Sequence, residues 1–190
     1  MIAWQRLPLG ARRPLSPGGF QSLGAPMPVK QARRLDAIDI RILSALQREG
    51  RMTIEKLARN VGLSARPCLE RVRRLQASGI ILGYQAVIDL ERLSKPVTVF
   101  AELSLTRQAR NERVEMRLKE IEEAVECWEI GGASDYLVRF VCEDLTRYET
   151  LTQELLGDRR LGLARIVSHI VLRPIGRFAG YPASLLAPRR

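Results

Sequence analysis

The chain has 190 residues, a formal net charge of +10 and 46% hydrophobic residues. This length accommodates one domain or two small domains with buried cores. No apolar run reaches the length of a membrane span, and no signal-like apolar segment is present, so we expect a cytoplasmic protein without a membrane partner. Cys68, Cys127 and Cys142 are widely spaced and His169 is the only histidine, a pattern that predicts no metal site.

The positive charge is distributed unevenly along the sequence. Residues 1–34 carry a net charge of +6, residues 35–81 carry +4, residues 97–172 carry −4 and residues 173–190 carry +4. A basic first part and an acidic second part predict a DNA-binding domain joined to a domain with another task.

Residues 1–34 lack hydrophobic periodicity and are predicted to form a disordered basic arm. Met27 is an alternative to Met1 as the start of the protein.

Three short helices are predicted over residues 35–79. The first lies within LDAIDIRILSALQREG (35–50), where Asp36 is the N-cap, Asp39 lies in the first turn and Gly50 ends the helix. Its apolar stripe consists of Leu35, Ile38, Ile42, Leu43 and Leu46. The second helix has a stripe of Leu57, Ala58 and Val61, and Gly62 ends it.

The third helix is predicted to begin after Ser64, whose hydroxyl would cap it, and to end at Gly79. One side of this helix is apolar: Ala65, Cys68, Leu69, Val72 and Leu75. The other side carries four arginines and one acid and, with Ser64, forms the predicted DNA face: Ser64, Arg66, Glu70, Arg71, Arg73 and Arg74. A helix that docks through one side and presents arginines on the other fits the DNA major groove. The alternative is an ordinary solvated helix face.

Residues 80–88, IILGYQAVI, are predicted to form a short β element that serves as a wing. The predicted winged helix-turn-helix domain therefore covers residues 35–90, and a linker follows at 91–96.

The second domain is predicted to have the order β-α-β-β-α-β over residues 97–174, followed by a C-terminal tail at 175–190. The predicted strands are 97–105, 125–130, 135–143 and 164–172, and the predicted helices are 112–121 and 145–156. The residues expected to face the core from these helices are Val114, Leu118, Ile121, Leu145, Tyr148, Leu151 and Leu155. This α+β, ferredoxin-like arrangement leaves one face of the sheet bare, which predicts dimerisation through that face.

The turn GGAS (131–134) is a candidate ligand site. Adjacent glycines expose backbone N–H groups that can hold a carboxylate, and Asp135 could pair with an ammonium group. The alternative is a tight turn that Asp135 caps. His169, in the last strand, is interpreted as a structural residue.

Both parts of the sequence resemble the Lrp/AsnC (feast/famine) family of transcriptional regulators, from about Leu35 to Pro174. The resemblance rests on LDAIDIRILSALQREGRMT, on VGLSARPCLERVRRLQASGII and on GGASDYLV. The last segment keeps Gly132, Asp135 and Tyr136 of the family's Gly-Asp-x-Asp-Tyr turn, whereas Ala133 replaces the first acid.

The resemblance implies a helix-turn-helix over Ile54–Arg73, which adds Ile54 and Pro67 to the expected DNA-binding residues. It implies operator binding as a dimer, assembly into multiples of dimers such as an octamer, and an amino acid bound between subunits. The implied effector-binding residues are Gly131, Gly132, Ala133, Ser134, Asp135 and Tyr136. Because Ala133 is apolar, we expect an apolar or aromatic amino acid rather than an acidic one.

The resulting hypothesis is a nucleoid-associated transcriptional regulator that responds to an amino acid and needs no other cofactor. The alternative is an architectural DNA-binding protein whose second domain only oligomerises. An enzyme is not favoured because the sequence has no paired acid and base, no metal-ligand set and no activated nucleophile. We therefore predict no catalytic residue.

Overall fold

The computed structural model describes residues 35–176 and 178–186. Within these residues the chain forms two compact units: residues 35–89 together with the segment from Pro174 onward, and residues 90–173. The predicted basic arm at 1–34 lies outside the described residues.

The first unit contains the three predicted helices: α1 (Ala37–Arg48), α2 (Ile54–Val61) and α3 (Ala65–Ala77). Asp36 caps α1, because its Oδ1 accepts hydrogen bonds from the backbone N–H groups of Ile38 at 2.9 Å and Asp39 at 2.8 Å. Thr53 caps α2 through its hydroxyl, which accepts from Lys56 N at 3.3 Å. Gly62 ends α2 in the left-handed conformation, with φ of 75°, which glycine adopts without a Cβ clash.

Ser64 occupies the N-cap position of α3, but its hydroxyl makes no capping hydrogen bond within the described residues. The expected side-chain cap was therefore wrong, although the helix begins where it was predicted to begin. The hydroxyl remains exposed and available to another partner.

The apolar faces of the three helices form one core. Its buried members are Ile42, Leu43, Met52, Leu57, Ala58, Val61, Cys68, Val72 and Leu75, and Leu35, Ile38 and Leu46 are partly buried against them. Of the predicted apolar side of α3, Leu69 is only partly buried and Ala65 is exposed. The apolar side of α3 packs on this core, and the opposite side of the helix faces outward.

Residues 80–88 do not form the predicted β element; the segment has no regular secondary structure. Its apolar side chains are largely exposed, with Val87 at 81%. A strand needs a second strand to satisfy its backbone groups, and the described part of the chain supplies none to this segment.

The predicted C-terminal tail is part of the first unit. Its short helix α6 (Ala183–Leu186) brings Leu186 against the helical core. Gln47 of α1 holds the preceding residues: its Oε1 accepts from Tyr181 N at 2.6 Å, and its Nε2 donates to Tyr181 O at 3.4 Å.

The second unit begins with a short 3₁₀ helix (Leu90–Arg92) and then has the predicted order of strands and helices. The strands are β1 (Val97–Leu105), β2 (Ala124–Glu129), β3 (Tyr136–Cys142) and β4 (Leu163–Ile170). The helices are α4 (Asn111–Glu120) and α5 (Leu145–Gly157). The sheet has the order β2-β3-β1-β4 and every neighbouring pair is antiparallel, as in a ferredoxin-like fold.

Alternate residues of the strands face the two helices. Val99, Ala101 and Leu103 of β1 are buried in a core with Val114 and Leu118 of α4, and Tyr148, Leu151 and Leu155 of α5 also belong to it. Leu145 was predicted to face this core, but it is 49% exposed because it is the first residue of α5, directly after the N-cap Asp144.

The other residues of the strands lie on the second face of the sheet, hereafter the open face. Phe100 of β1 pairs with Arg139 of β3 and His169 of β4, and Glu102 pairs with Leu137 and Val167. Trp128 of β2 pairs with Leu137 and is 43% exposed.

No helix of the described residues is long and apolar enough to cross a membrane.

Candidate DNA-binding surface and effector site

The outward side of α3 carries Arg66, Glu70 and Arg73 at positions i, i+4 and i+7, which lie along one face of a helix. The Arg66 side chain is 91% exposed and that of Glu70 is 64% exposed. Arg66 Nε lies 3.5 Å from Glu70 Oε1, at the limit of a hydrogen bond, so this exposed pair holds both groups only weakly. The three side chains therefore remain available to an external partner.

Arg71 and Arg74 have a different environment, because both reach back to α1. Arg71 Nη1 donates to Asp36 Oδ2 at 2.6 Å and to Asp39 Oδ1 at 2.8 Å. Arg74 Nη2 lies 3.0 Å from Asp39 Oδ1 and 2.9 Å from Asp39 Oδ2. We call these four residues the α1–α3 charge cluster.

Two residues of the charge cluster, Asp36 and Arg71, have pKa values shifted toward their ionised forms. The pKa of Asp36 lies below its usual value, mainly because its carboxylate accepts from the backbone N–H of Asp39 and also because Arg71 donates to it. The pKa of Arg71 is raised, because Asp36 and Asp39 both accept its hydrogen bonds. Arg71 and Arg74 were both placed on the predicted DNA face, but the structure directs both guanidinium groups to carboxylates of α1.

The remaining predicted DNA-binding residues lie at the starts of helices. Ser64 is exposed at the N-cap of α3, and Pro67 is partly buried in its first turn. Ile54 is the first residue of α2 and packs partly against the helical core, which indicates a mainly structural contact.

The turn between β2 and β3 is open at its tip. Ile130 N donates to Asp135 O at 2.9 Å and closes the turn. Gly131, Gly132 and Ala133 are exposed, and a Cβ built on either glycine would meet no atom within 4 Å. Gly132 has φ of 143°, a conformation that disfavours other residues.

The carboxylate of Asp135 is used within the fold. Its Oδ2 accepts from Leu105 N at 2.6 Å, and Asp135 N donates to Leu103 O at 2.9 Å. Asp135 therefore joins the turn to the end of β1. This role is structural, as in the turn alternative, but the described partner of the carboxylate is the backbone of β1 rather than that of the turn itself.

Tyr136 does not line the open tip of the turn. Its side chain is 1% exposed within the core between the sheet and the helices. Burial, together with the nearby Glu115 carboxylate, raises the pKa of the Tyr136 phenol, so it stays neutral and donates to Glu115 Oε1 at 3.4 Å. Its interactions are those of a core residue.

Ser134 connects the turn to an acidic residue that the sequence analysis did not select. Ser134 is buried, and its hydroxyl donates to Glu102 Oε2 at 3.0 Å. Glu102 Oε1 lies 3.1 Å from His169 Nε2. The pKa of Glu102 is lowered, first by the hydrogen bond from Ser134 and then by the one from His169, so its carboxylate is ionised at neutral pH. A single acid on the outward alternation of the apolar strand VTVFAELSL was the available sequence signal.

Comparison with known domain families matches both units. Residues 35–76 match the AsnC-type helix-turn-helix domain, and residues 98–178 match the Lrp/AsnC ligand-binding domain. The leucine-responsive regulatory protein of Haemophilus influenzae is 40% identical over 139 residues, which cover 72% of this chain and 81% of that protein. The transcriptional regulatory protein DoeX of Halomonas elongata is 39% identical over 147 residues, which cover 76% and 92%.

Solved structures show the same similarity. The regulator NMB0573 of Neisseria meningitidis, in complex with L-methionine, aligns with a TM-score of 0.72 and 29% identity over 80% of this chain and 99% of that chain. The feast or famine regulatory protein Rv3291c of M. tuberculosis, also complexed with L-methionine, aligns with a TM-score of 0.71 and 27% identity over 77% and 98%.

A helix-turn-helix unit followed by a ferredoxin-like ligand-binding unit defines a transcriptional regulator that binds DNA and a small effector. The chain belongs to the Lrp/AsnC family. The alternative of a second domain that only oligomerises is not favoured, because that domain matches a family of ligand-binding domains.

Two substitutions of Asp135 test its structural role. Asp135→Ala removes the acceptor of the Leu105 N–H group and should destabilise the ligand-binding unit by about 1 kcal/mol, which lowers its melting temperature by several degrees. Asp135→Asn keeps an amide oxygen as acceptor and should lower the melting temperature less. Scanning calorimetry of the full chain measures both, and equal melting temperatures for wild type and Asp135→Ala would contradict the structural role of Asp135.

Proposed function

We propose that this regulator reads its operator through Arg66, Glu70 and Arg73, with Ser64 at the edge of the contact. The observation that carries the proposal is that these side chains share the outward side of a helix whose opposite side is buried. Arginine can form two hydrogen bonds to guanine, and glutamate can accept from the amino group of cytosine. Pro67 and Ile54 support this surface by shaping the starts of α3 and α2. The DNA partner associates the protein with the nucleoid.

Arg66→Ala and Arg73→Ala test the DNA-reading surface. Each substitution should cost about 1–3 kcal/mol of operator affinity and relax sequence preference if the side chain contacts a base. Duplexes selected from a random pool by the wild-type protein serve as operators, and scrambled duplexes of equal composition measure non-specific binding. Fluorescence anisotropy gives both dissociation constants.

The matched control is Arg41→Ala, which removes an equal charge from an exposed position on α1. Arg41→Ala should lower the affinities for the operator and for the scrambled duplex by the same small factor. Wild-type operator affinity in the Arg66→Ala, Arg73→Ala double variant would refute the proposed surface.

We further propose that an apolar or aromatic amino acid binds beside the 131–136 turn, at a subunit interface. The exposed glycine backbone can bind the effector carboxylate, and Ala133 offers an apolar neighbour. We assign the ammonium group to Glu102, because its ionised carboxylate is partly exposed on the open face and contacts Ser134 of the turn. Relatives bound to L-methionine support this class of ligand. Binding would favour one arrangement of dimers and so change operator affinity.

Titration calorimetry with L-methionine, L-leucine, L-phenylalanine and L-aspartate tests the effector proposal. We expect heat from at least one of the first three and none from L-aspartate. Glu102→Gln should weaken that binding about tenfold or more, because a charge-assisted hydrogen bond contributes about 1.5–3 kcal/mol. Asp135→Asn should weaken it much less. If Asp135→Asn weakens amino-acid binding more than Glu102→Gln does, the ammonium group binds Asp135 instead. If no amino acid produces heat, the effector proposal is refuted.

Assembly as a dimer or a multiple of dimers is proposed through the open face of the sheet. No helix of the second unit covers Phe100, Leu137 or Trp128 on this face, and all three side chains are partly or largely exposed. An uncovered apolar face of this kind is typical of a surface that pairs with another subunit.

Light scattering at micromolar concentration tests the assembly. We expect at least a dimer for the wild type, and a shift toward the monomer for Trp128→Glu combined with Leu137→Glu. A dimer carries two copies of α3, the proposed recognition helix, which predicts an operator that is an imperfect palindrome with half-sites about one helical turn apart. A wild-type monomer would contradict the proposed assembly.

A further inference from the structure

Asp39 is an almost fully buried acid that receives two arginines of the recognition helix. Its side chain is 4% exposed, and it accepts from Arg71 Nη1 at 2.8 Å and from Arg74 Nη2 at 2.9 Å. A buried carboxylate without partners is strongly unfavourable, so both contacts matter to the packing of α1 against α3. Arg71 and Arg74 are three residues apart and therefore lie next to each other, one turn apart, on the surface of α3.

The charge cluster restricts the rotation of α3 about its own axis. Apolar packing of Cys68, Val72 and Leu75 is not directional, whereas hydrogen bonds between guanidinium and carboxylate groups are. Arg71 also bonds to Asp36, the N-cap of α1, so the cluster ties α3 to the start of that helix. The direction in which Arg66 and Arg73 point therefore depends on Asp39 and Asp36.

The cluster also determines which arginines can reach phosphate. Arg74 remains 47% exposed but directs Nη2 to both carboxylate oxygens of Asp39. A guanidinium that is neutralised within the protein adds no counterion release when the protein binds DNA. An arginine without such a partner on the same helix would add that sequence-independent attraction.

We propose that Asp39 is a positioning residue for operator recognition: it orients the recognition helix and withholds Arg74, and with Asp36 also Arg71, from the DNA backbone. Sequence selectivity then depends on Arg66, Glu70 and Arg73, while non-specific attraction stays low. The proposal rests on the DNA-reading surface proposed above.

Arg74→Gln provides the first test, in the full-length protein. The variant should reduce the ratio of operator to scrambled-duplex affinity about fivefold or more, because the helix is held less firmly. The slope of log affinity against log salt concentration should stay at the wild-type value, because Arg74 does not contact phosphate. A phosphate-binding arginine would instead make the slope shallower by about 0.9 when removed, and that result would overturn the proposal.

Asp39→Asn provides the second test and predicts a gain of binding. Released Arg74 should strengthen binding to the scrambled duplex and steepen its salt slope by about 0.9, so that a fourfold rise in salt costs about 3.5-fold more affinity than in the wild type. The ratio of operator to scrambled-duplex affinity should fall. Adding Arg74→Gln to Asp39→Asn should return the slope to the wild-type value.

Glu49→Gln is the matched control, because it removes one negative charge from an exposed ion pair with Lys56 in the same unit. It should change neither the affinity ratio nor the salt slope by a comparable amount. An equal effect of Glu49→Gln would assign the gain to net charge and overturn the proposal. A lower melting temperature of Asp39→Asn with an unchanged ratio and slope would show a purely structural role.

Failure of the underlying surface has a separate signature. If Arg66 and Arg73 do not read DNA, their double variant retains wild-type operator affinity whatever the Asp39 and Arg74 variants do. If only the positioning role is wrong, the double variant loses selectivity while Asp39→Asn and Arg74→Gln keep the wild-type ratio. Should Asp39→Asn not fold by circular dichroism, Arg74→Gln still decides, because it leaves Asp39 paired with Arg71.

Discussion

The buried carboxylate of Asp39 is the constraint on which the DNA-binding unit depends. Burying an isolated charge costs several kcal/mol, so α1 and α3 must approach each other in an arrangement that brings guanidinium groups to Asp39. The same carboxylate completes the capping box of α1 with Asp36. One residue therefore links the start of α1, the α1–α3 interface and the direction of the recognition helix. The apolar core supplies most of the stability, but its packing is less directional than the hydrogen bonds of Asp39.

The helices α1, α2 and α3 could be predicted because each carries both a hydrophobic period and a boundary residue. Asp36 begins α1 by local hydrogen bonding and Gly62 ends α2 with a left-handed φ, and both effects depend on few neighbours. The destination of Arg71 could not be predicted in the same way. A helical wheel places it about 140° from Arg66, near the apolar side, but says nothing of where a long side chain ends. The acids that receive it lie more than thirty residues away in sequence.

Interactions between residues that are distant in sequence also explain the other features that were not predicted correctly. Residues 80–88 have the composition of a strand, yet a strand depends on a second strand whose identity no local pattern reveals. Strands β1 and β3 were predictable because each buries alternate residues on one face. The structural contact of Asp135 was not predictable, because its partner, Leu105 N, belongs to the far end of β1. Glu102 was missed because its neighbours, Ser134 and His169, lie on other strands or turns.

The remaining hydrogen-bonding capacity of each carboxylate separates structural acids from acids that can bind a ligand. An ionised carboxylate has about four acceptor positions. Asp39 is contacted by two guanidiniums and the Asp36 N–H group, and its side chain is almost fully buried, so little of it is accessible to an external donor. Glu102 accepts from Ser134 on one oxygen and contacts His169 on the other, and its side chain is 37% exposed. It therefore keeps acceptor positions open to solvent on the open face, next to an exposed glycine turn. This difference in access, rather than the presence of an acid in a motif, is why the ammonium site is assigned to Glu102 and the positioning role to Asp39.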